Sequence, residues 1–199
     1  MADGLCVIVT GSTSGIGMGV AHSFAKAGAK VALNGRKLND AAQSVLTEFQ
    51  AMYGAENIVF AGADISVPDQ VKTMVETATA AFGRVDVLVQ NAGIQHTASV
   101  VDFPADKWSQ IIDVNLSSVF HGAQAVLPLM LAQGFGRIIN IASVHGMVAS
   151  KQKAAYVAAK HGVIGLSKVI ALETAETNVT CNCICPGWVL TPLVEKQIQ

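Results

Sequence analysis

The chain has 199 residues, 51% of them hydrophobic and 14% charged, with 13 basic against 14 acidic side chains and a formal charge of −1. That length suits a single domain over residues 1–199, and the composition excludes a disordered chain and supports a large buried core. The even charge balance, with no basic block and no interleaving of aromatic and basic residues, argues against nucleic acid as a partner.

Short apolar runs alternate with amphipathic stretches along the chain. The first run, 5–10, is too short for a signal core or a membrane span, so no membrane partner and a cytoplasmic location are expected. It leads through a glycine-rich turn into a helix near 16–27. Strands then follow at 30–34, 57–62 and 85–90, separated by helices near 38–53 and 68–82. A loop spans 90–106, a long helix 108–133, a fifth strand 137–142 and a second loop 143–152. A helix over 153–173 and a strand over 179–184 complete the pattern. Near-continuous apolar strands separated by helices predict a parallel sheet covered on both faces. Right-handed crossovers then give a doubly wound α/β sheet, the Rossmann fold. Both loops leave the C-terminal end of a strand, the edge at which open α/β sheets bind ligands.

Of the four cysteines, Cys181, Cys183 and Cys185 alternate along the last strand and so share one face. Zinc ligands are more widely spaced, with turns between them, so neither a metal nor a disulfide framework is expected.

The turn after the first strand reads Thr10-Gly11-Ser12-Thr13-Ser14-Gly15-Ile16-Gly17. Glycines there permit a tight turn and close approach to a pyrophosphate, and the helix that follows offers amide donors and positive partial charge. An ordinary glycine-rich turn would read the same, but the strand before it and the helix after it favour a nucleotide. Gly11, Thr13, Ser14, Gly15, Ile16 and Gly17 are therefore candidate cofactor residues. Asp64 and Ile65 end the third strand, where an acceptor would take the adenine amine; a plain helix cap explains Asp64 equally well. Asn91-Ala92-Gly93 ends the fourth strand in small residues that admit a ligand, or in a plain turn.

Tyr156 and Lys160 stand four residues apart on a predicted helix, so phenol and ammonium share a face. A neighbouring cation favours phenolate and lowers its pKa toward the working pH, which makes Tyr156 the expected acid/base. Ser143, at the end of the fifth strand, would bond the same substrate oxygen. Asn115, inside the long helix, would bend it or hold a water. A lone Tyr-x-x-x-Lys would be a solvated helix face. Here Ala154, Ala155, Ala158, Ala159, Gly162 and Gly165 leave the helix small and apolar on nearly every side, so it is expected to be buried, and a buried Tyr and Lys need partners.

These pieces, with Pro186-Gly187 and Thr191, occur in order over nearly the whole chain, and the sequence resembles the short-chain dehydrogenases/reductases. The resemblance implies hydride transfer with a nicotinamide cofactor. It implies Tyr156 as acid/base and as a cofactor contact, Lys160 also on the nicotinamide ribose, Ser143 orienting the substrate, and Asn115 holding a water beside Lys160. Pro186, Gly187, Val189 and Thr191 would hold the carboxamide. A narrower resemblance, over 91–96, 141–146, 154–161 and 185–192, is to members of that family that oxidise (R)-3-hydroxybutyrate. It implies that Gln95, His145, Lys153 and Gln197 hold the substrate carboxylate, with Trp188 beside them. A β-hydroxy acid offers one carboxylate and one hydroxyl, so a selective pocket needs donors at one end and the Ser–Tyr pair at the other.

The narrower resemblance also implies NAD. The second strand ends Asn34-Gly35-Arg36, with no acid to bond a ribose hydroxyl, and Arg36 would pair with a 2′-phosphate, which leaves NADP open. Against NADP, Ser12-Thr13-Ser14 carries no basic residue. NADPH-dependent reduction of a 3-ketoacyl thioester and a catalytically inactive nucleotide-binding protein are the alternatives. Relative to the family the chain stops early, at Gln199, so a C-terminal strand and part of the substrate lid are expected to be lacking. The two long helices carry more apolar surface than one sheet face covers, which predicts a homo-oligomer, a dimer or tetramer.

Overall fold

Continuous apolar strands need cover on both faces, and the structure, a computed structural model describing residues 2–189, supplies it. Strands β1 (Cys6–Val9), β2 (Lys30–Leu33), β3 (Ile58–Phe60), β4 (Val87–Gln90), β5 (Gly136–Ile141) and β6 (Val179–Ile184) form one parallel sheet in the order β3-β2-β1-β4-β5-β6. The helices are α1 (Gly15–Lys26), α2 (Asp40–Tyr53), α3 (Pro68–Phe82), α4 (Ala105–Ile112), α5 (Ser118–Ala132) and α6 (Ala154–Glu173). Side chains alternate across the sheet. Ile8, Ala32, Leu88 and Ile138 pack with Met74 of α3, Met130 of α5 and Ile170 of α6. Val7, Val9, Val31 and Leu33 pack with Ala21 of α1 and Phe49 of α2 on the other face. Strand order reverses between β1 and β4, which opens a crevice at their C-terminal ends.

The long helix expected over 108–133 is three pieces. It begins earlier, at Ala105, and between α4 and α5 a π-helical turn spans Asp113–Ser117. The widened turn holds buried Asn115, whose side chain accepts from the Ile94 amide at 2.8 Å and donates to the Ile94 carbonyl at 2.8 Å. The polar residue thus reshapes the helix. The second helix starts at Asp40 rather than at 38, because Asn39 caps it by accepting from the Ala42 amide at 3.0 Å.

The helical stretches Ala105–Ala132 and Ala154–Glu173 are long and apolar enough by composition to cross a membrane. In this fold each packs one side on the sheet, as Met130 and Ile170 show, and leaves Phe120, Leu131, Val169 and Leu172 exposed.

Buried Asp86 ties the two central strands together. It accepts from the Cys6 amide at 2.9 Å and from Arg84 at 2.6 and 2.8 Å. Replacing Asp86 by Ala leaves the Cys6 amide without that acceptor and is expected to lower stability by roughly 1–3 kcal/mol, read from the urea unfolding midpoint. An unchanged midpoint would show that water replaces the bond.

Candidate active site

A cleft of about 1080 Å³, open mouth included, lies at the crevice between β1 and β4. Its floor is the turn after β1. Gly11 has φ +62°, and a Cβ there would stand 2.9 Å from the Ala92 Cα, while a Cβ on Gly17 would overlap Asn91 and the Gly11 carbonyl. Glycine is thus required by close approach as well as by backbone conformation. Thr10 Oγ1 accepts from the amides of Asn91 and Ala92 at 2.9 and 3.1 Å, and Asn91 Nδ2 donates to the Thr10 carbonyl at 3.0 Å. Gly11, Ser14, Gly15, Ile16, Asn91, Ala92 and Gly93 all line the cleft. Ser14, at the N-cap of α1, makes no side-chain cap bond, and the first turn carries no acid. Glycines pressed to contact distance, and a helix start without a competing carboxylate, fit the pyrophosphate of a dinucleotide.

Asn34, which in the sequence marks only the absence of an acid, shapes the turn. Almost fully buried, it accepts from the Gly11 amide at 3.2 Å and donates through Nδ2 to the Ala61 carbonyl at 2.9 Å. Its backbone exchanges bonds with Ser12, donating to Oγ at 2.8 Å and accepting from the Ser12 amide at 3.0 Å. The signal available was a carboxamide ending an apolar run, where a solvated turn would not need one.

Several expected cofactor residues lie off the cleft lining. Thr13 faces Gly35, and Gly17 faces Asn91. Arg36 is exposed near Asp64. Asp64 does not cap α3, whose N-cap is Val67; its carboxylate instead accepts from the Ser66 hydroxyl at 2.6 Å and the Ser66 amide at 3.0 Å. The Ser66 hydroxyl chiefly, and the Arg36 charge to a smaller extent, hold that carboxyl below its ordinary range. The Ile65 side chain is buried in the core with Val71 and Met74, as its apolar character demands, and does not line the cleft. Asn115 stands behind the wall, its amide committed to both backbone groups of Ile94. Its side chain therefore anchors the loop after β4.

At the inner end stand Ser143, Tyr156 and Lys160. Ser143 caps the 3-10 turn Val144–Gly146, its Oγ accepting from the His145 amide at 3.1 Å, and its side chain bonds that of Tyr156. Lys160, only 5% exposed, donates to the Ile141 carbonyl at 2.7 Å and lies 5.6 Å from the Tyr156 ring centroid. Burial pulls its pKa down to about 8. The same burial pushes the Tyr156 phenol above its ordinary value, partly offset by the Ser143 bond. The expectation that Lys160 lowers the phenol is not met here, because the ammonium is bonded to Ile141 and desolvation dominates.

A polar group forms the other end. Gln95, His145, Lys153 and Trp188 line it, with Pro186, Gly187 and Val189 alongside. Lys153 Nζ lies 4.8 Å from the Trp188 ring centroid, and the His145 ring stands 6.1 Å from Tyr156 and 6.5 Å from Trp188. Burial lowers the pKa of Lys153; burial and the Lys153 charge lower that of His145. Lys153 and His145 are thus parts of a pocket and not free loop surface. Thr191 and Gln197 lie outside the described residues. Among the described residues no group of three or more His, Cys, Asp or Glu side chains could hold a metal ion, and all four cysteines are free thiols.

Residues 5–199 match the family model described as short chain dehydrogenase. The chain is 52% identical over 199 residues to a D-beta-hydroxybutyrate dehydrogenase of Cupriavidus necator, covering 100% of this chain and 76% of that protein. It is 50% identical over 191 residues to a D-beta-hydroxybutyrate dehydrogenase of Rhizobium meliloti, covering 96% and 74%. It is 40% identical over 189 residues to a 3-oxoacyl-[acyl-carrier-protein] reductase of Synechocystis, covering 95% and 76%.

The depressed Lys160 value has a stability consequence. The unfolded lysine keeps its proton up to the ordinary value of 10.5, whereas the folded one releases it near pH 8. The penalty for burying the charge is fully present below about pH 8 and fades as pH rises toward 10.5. The stability of the native chain relative to Lys160→Met should therefore improve by about 3 kcal/mol between pH 7 and pH 10.5, measured by denaturant unfolding. A difference independent of pH would show that Lys160 titrates normally.

Proposed function

The chain belongs to the short-chain dehydrogenase family, and from that premise we propose that it interconverts (R)-3-hydroxybutyrate and acetoacetate with NAD. The observation that carries this reading is the pairing, in one cleft, of the Ser143–Tyr156–Lys160 set with a second group containing Lys153, His145 and Gln95. One end suits a hydroxyl or keto oxygen. The other suits a carboxylate, through charge-assisted bonds from Lys153 and further donors beside it.

The turn from Gly11 to Ile16, the wall at Asn91-Ala92-Gly93 and the loop at Pro186-Gly187 would hold the cofactor. When bound, the nicotinamide accepts or supplies the hydride. Ser143 fixes the substrate oxygen through its hydroxyl. Tyr156 takes the proton from that oxygen in oxidation and returns it in reduction. Lys160 keeps a cation 5.6 Å from the phenol ring centroid, a charge that favours phenolate against the burial that opposes it. Asn115 acts at one remove, by holding the loop that carries Gln95. Asp64 supports NAD over NADP, since its carboxylate near Arg36 would repel a 2′-phosphate there. Lys153 also argues against a 3-ketoacyl thioester, which has no negative charge at that position. The complete Asn-Ser-Tyr-Lys set argues against an inactive binder. The exposed apolar residues Phe120, Leu131, Val169 and Leu172 support a homo-oligomer built on α5 and α6.

Purified protein with NAD should oxidise (R)-3-hydroxybutyrate, and Tyr156→Phe should lower kcat by about 10²–10⁴-fold. Turnover of a 3-ketoacyl thioester but of no short β-hydroxy acid would overturn the substrate assignment. The pH profile is a separate check. Oxidation needs a deprotonated phenol, and burial raises that pKa, so the oxidation rate should climb with pH beyond neutrality while reduction stays level until pH nears the phenol's own value. A flat oxidation profile above neutrality would remove Tyr156 as the base. Sedimentation at micromolar concentration should show a dimer or tetramer; a stable monomer would count against the helix-face association.

A further inference from the structure

Among the described residues, Gln152 is the one non-glycine residue with positive φ, at 63°. L-residues with longer side chains rarely adopt that left-handed conformation, and it persists where the surroundings enforce it. Here the enforcement is visible. The Gln152 carbonyl accepts from the Ala98 amide at 3.0 Å, and Ala98 forms an isolated parallel bridge with Lys153. The loop leaving β4, which carries Gln95, is thereby strapped to the loop leaving β5 where the chain enters α6. The next residue is Lys153, at the N-cap of α6 and only 8% exposed. That is an adverse place for a cation, since it faces both burial and the positive end of a helix. Residue 152 sets the direction in which residue 153 leaves the strap.

We propose that Gln152 is a positioning residue for carboxylate recognition: its left-handed backbone, pinned to Ala98, turns Lys153 into the cleft. The proposal rests on the reading above in which Lys153 receives the substrate carboxylate. Gln152 touches no reacting atom, and its effect passes through Lys153.

Three substitutions at 152 separate backbone conformation from side-chain chemistry. Asn and Gly enter the left-handed region readily, whereas β-branched Val resists it. Gln152→Val is expected to raise KM for (R)-3-hydroxybutyrate by about ten-fold, the scale of one weakened charge-assisted hydrogen bond, with kcat nearly unchanged. Gln152→Asn and Gln152→Gly should keep the native KM. With the methyl ester of the substrate, which lacks the carboxylate charge, Gln152→Val and the native chain should show equal kcat/KM. A native KM in Gln152→Val, or equal impairment with acid and ester, would overturn the proposal. If Gln152→Val does not fold, Ala98→Pro, which removes the amide donated to Gln152, should give the same acid-specific rise in KM, and an unchanged KM would overturn the proposal in the same way. Lys153→Met tells the two failures apart. A native KM for the acid in that variant sinks the carboxylate reading itself, while a raised KM beside a silent Gln152→Val sinks only the role of Gln152.

Discussion

The Lys160 ammonium, almost wholly removed from solvent, is bonded to the Ile141 carbonyl at the C-terminal end of β5. A lysine can reach that carbonyl only if α6 lies close against the sheet edge, and its small residues allow this: Ala155 and Ala159 are fully buried. A Cβ on Gly146 would come within 2.7 Å of the Lys160 carbonyl, so the turn after Ser143 also lies flat on the helix. Further along α6, Asn140 of β5 donates to Ser167 at 2.8 Å, Ser167 donates to the Val163 carbonyl at 2.7 Å, and Cys183 of β6 donates to Ser167 at 3.0 Å. Gln90 of β4 extends the chain by donating to Asn140 at 3.1 Å. Every group in this run of bonds lies in or against the core, where an unmade bond is costly, so it fixes the helix in rotation and in height. Tyr156 meets Ser143 as a consequence.

Burial decides the electrostatics of the site. It lowers Lys160 and Lys153 and raises Tyr156, favouring the neutral form of each. A site poised in this way responds to an added charge, and the proposed substrate brings one, its carboxylate at the Lys153 end. Approach of that anion favours the charged lysine there, while the hydroxyl of the same small molecule spans to Ser143 and Tyr156. The reach of the cleft from Lys153 to Tyr156 thus favours a molecule with a carboxylate at one end and a hydroxyl at the other, because a neutral thioester brings no charge to the lysine.

Much of this was legible in the sequence because it depends on local spacing. Alternating apolar runs gave the parallel sheet, the glycines at 11, 15 and 17 gave the tight turn that opens α1, and four-residue spacing placed Tyr156 and Lys160 on one face. What escaped depends on partners distant in the chain. The π-helical turn at Asn115 is too short to alter the helical period, and its cause lies 21 residues away at Ile94. Asn34 reads as a missing acid until its bonds to Gly11 and Ala61 are seen. The direction of the Tyr156 shift failed for a related reason, since spacing reports nearness but not desolvation. Nothing in the letters marks Gln152 as left-handed, because glycine or asparagine, the usual signals, are absent there. Asp64 divided evenly between two readings on local grounds, and the structure gives it a third, a turn closed on Ser66.

The central claim is that one small molecule bridges the two ends of this cleft. A crystal structure with NAD and acetoacetate tests it most directly. The account predicts the carboxylate within hydrogen-bonding distance of Lys153, among Gln95 and His145, with the keto oxygen on the hydroxyls of Ser143 and Tyr156. A carboxylate turned away from Lys153, or a keto oxygen out of reach of Tyr156, would contradict it.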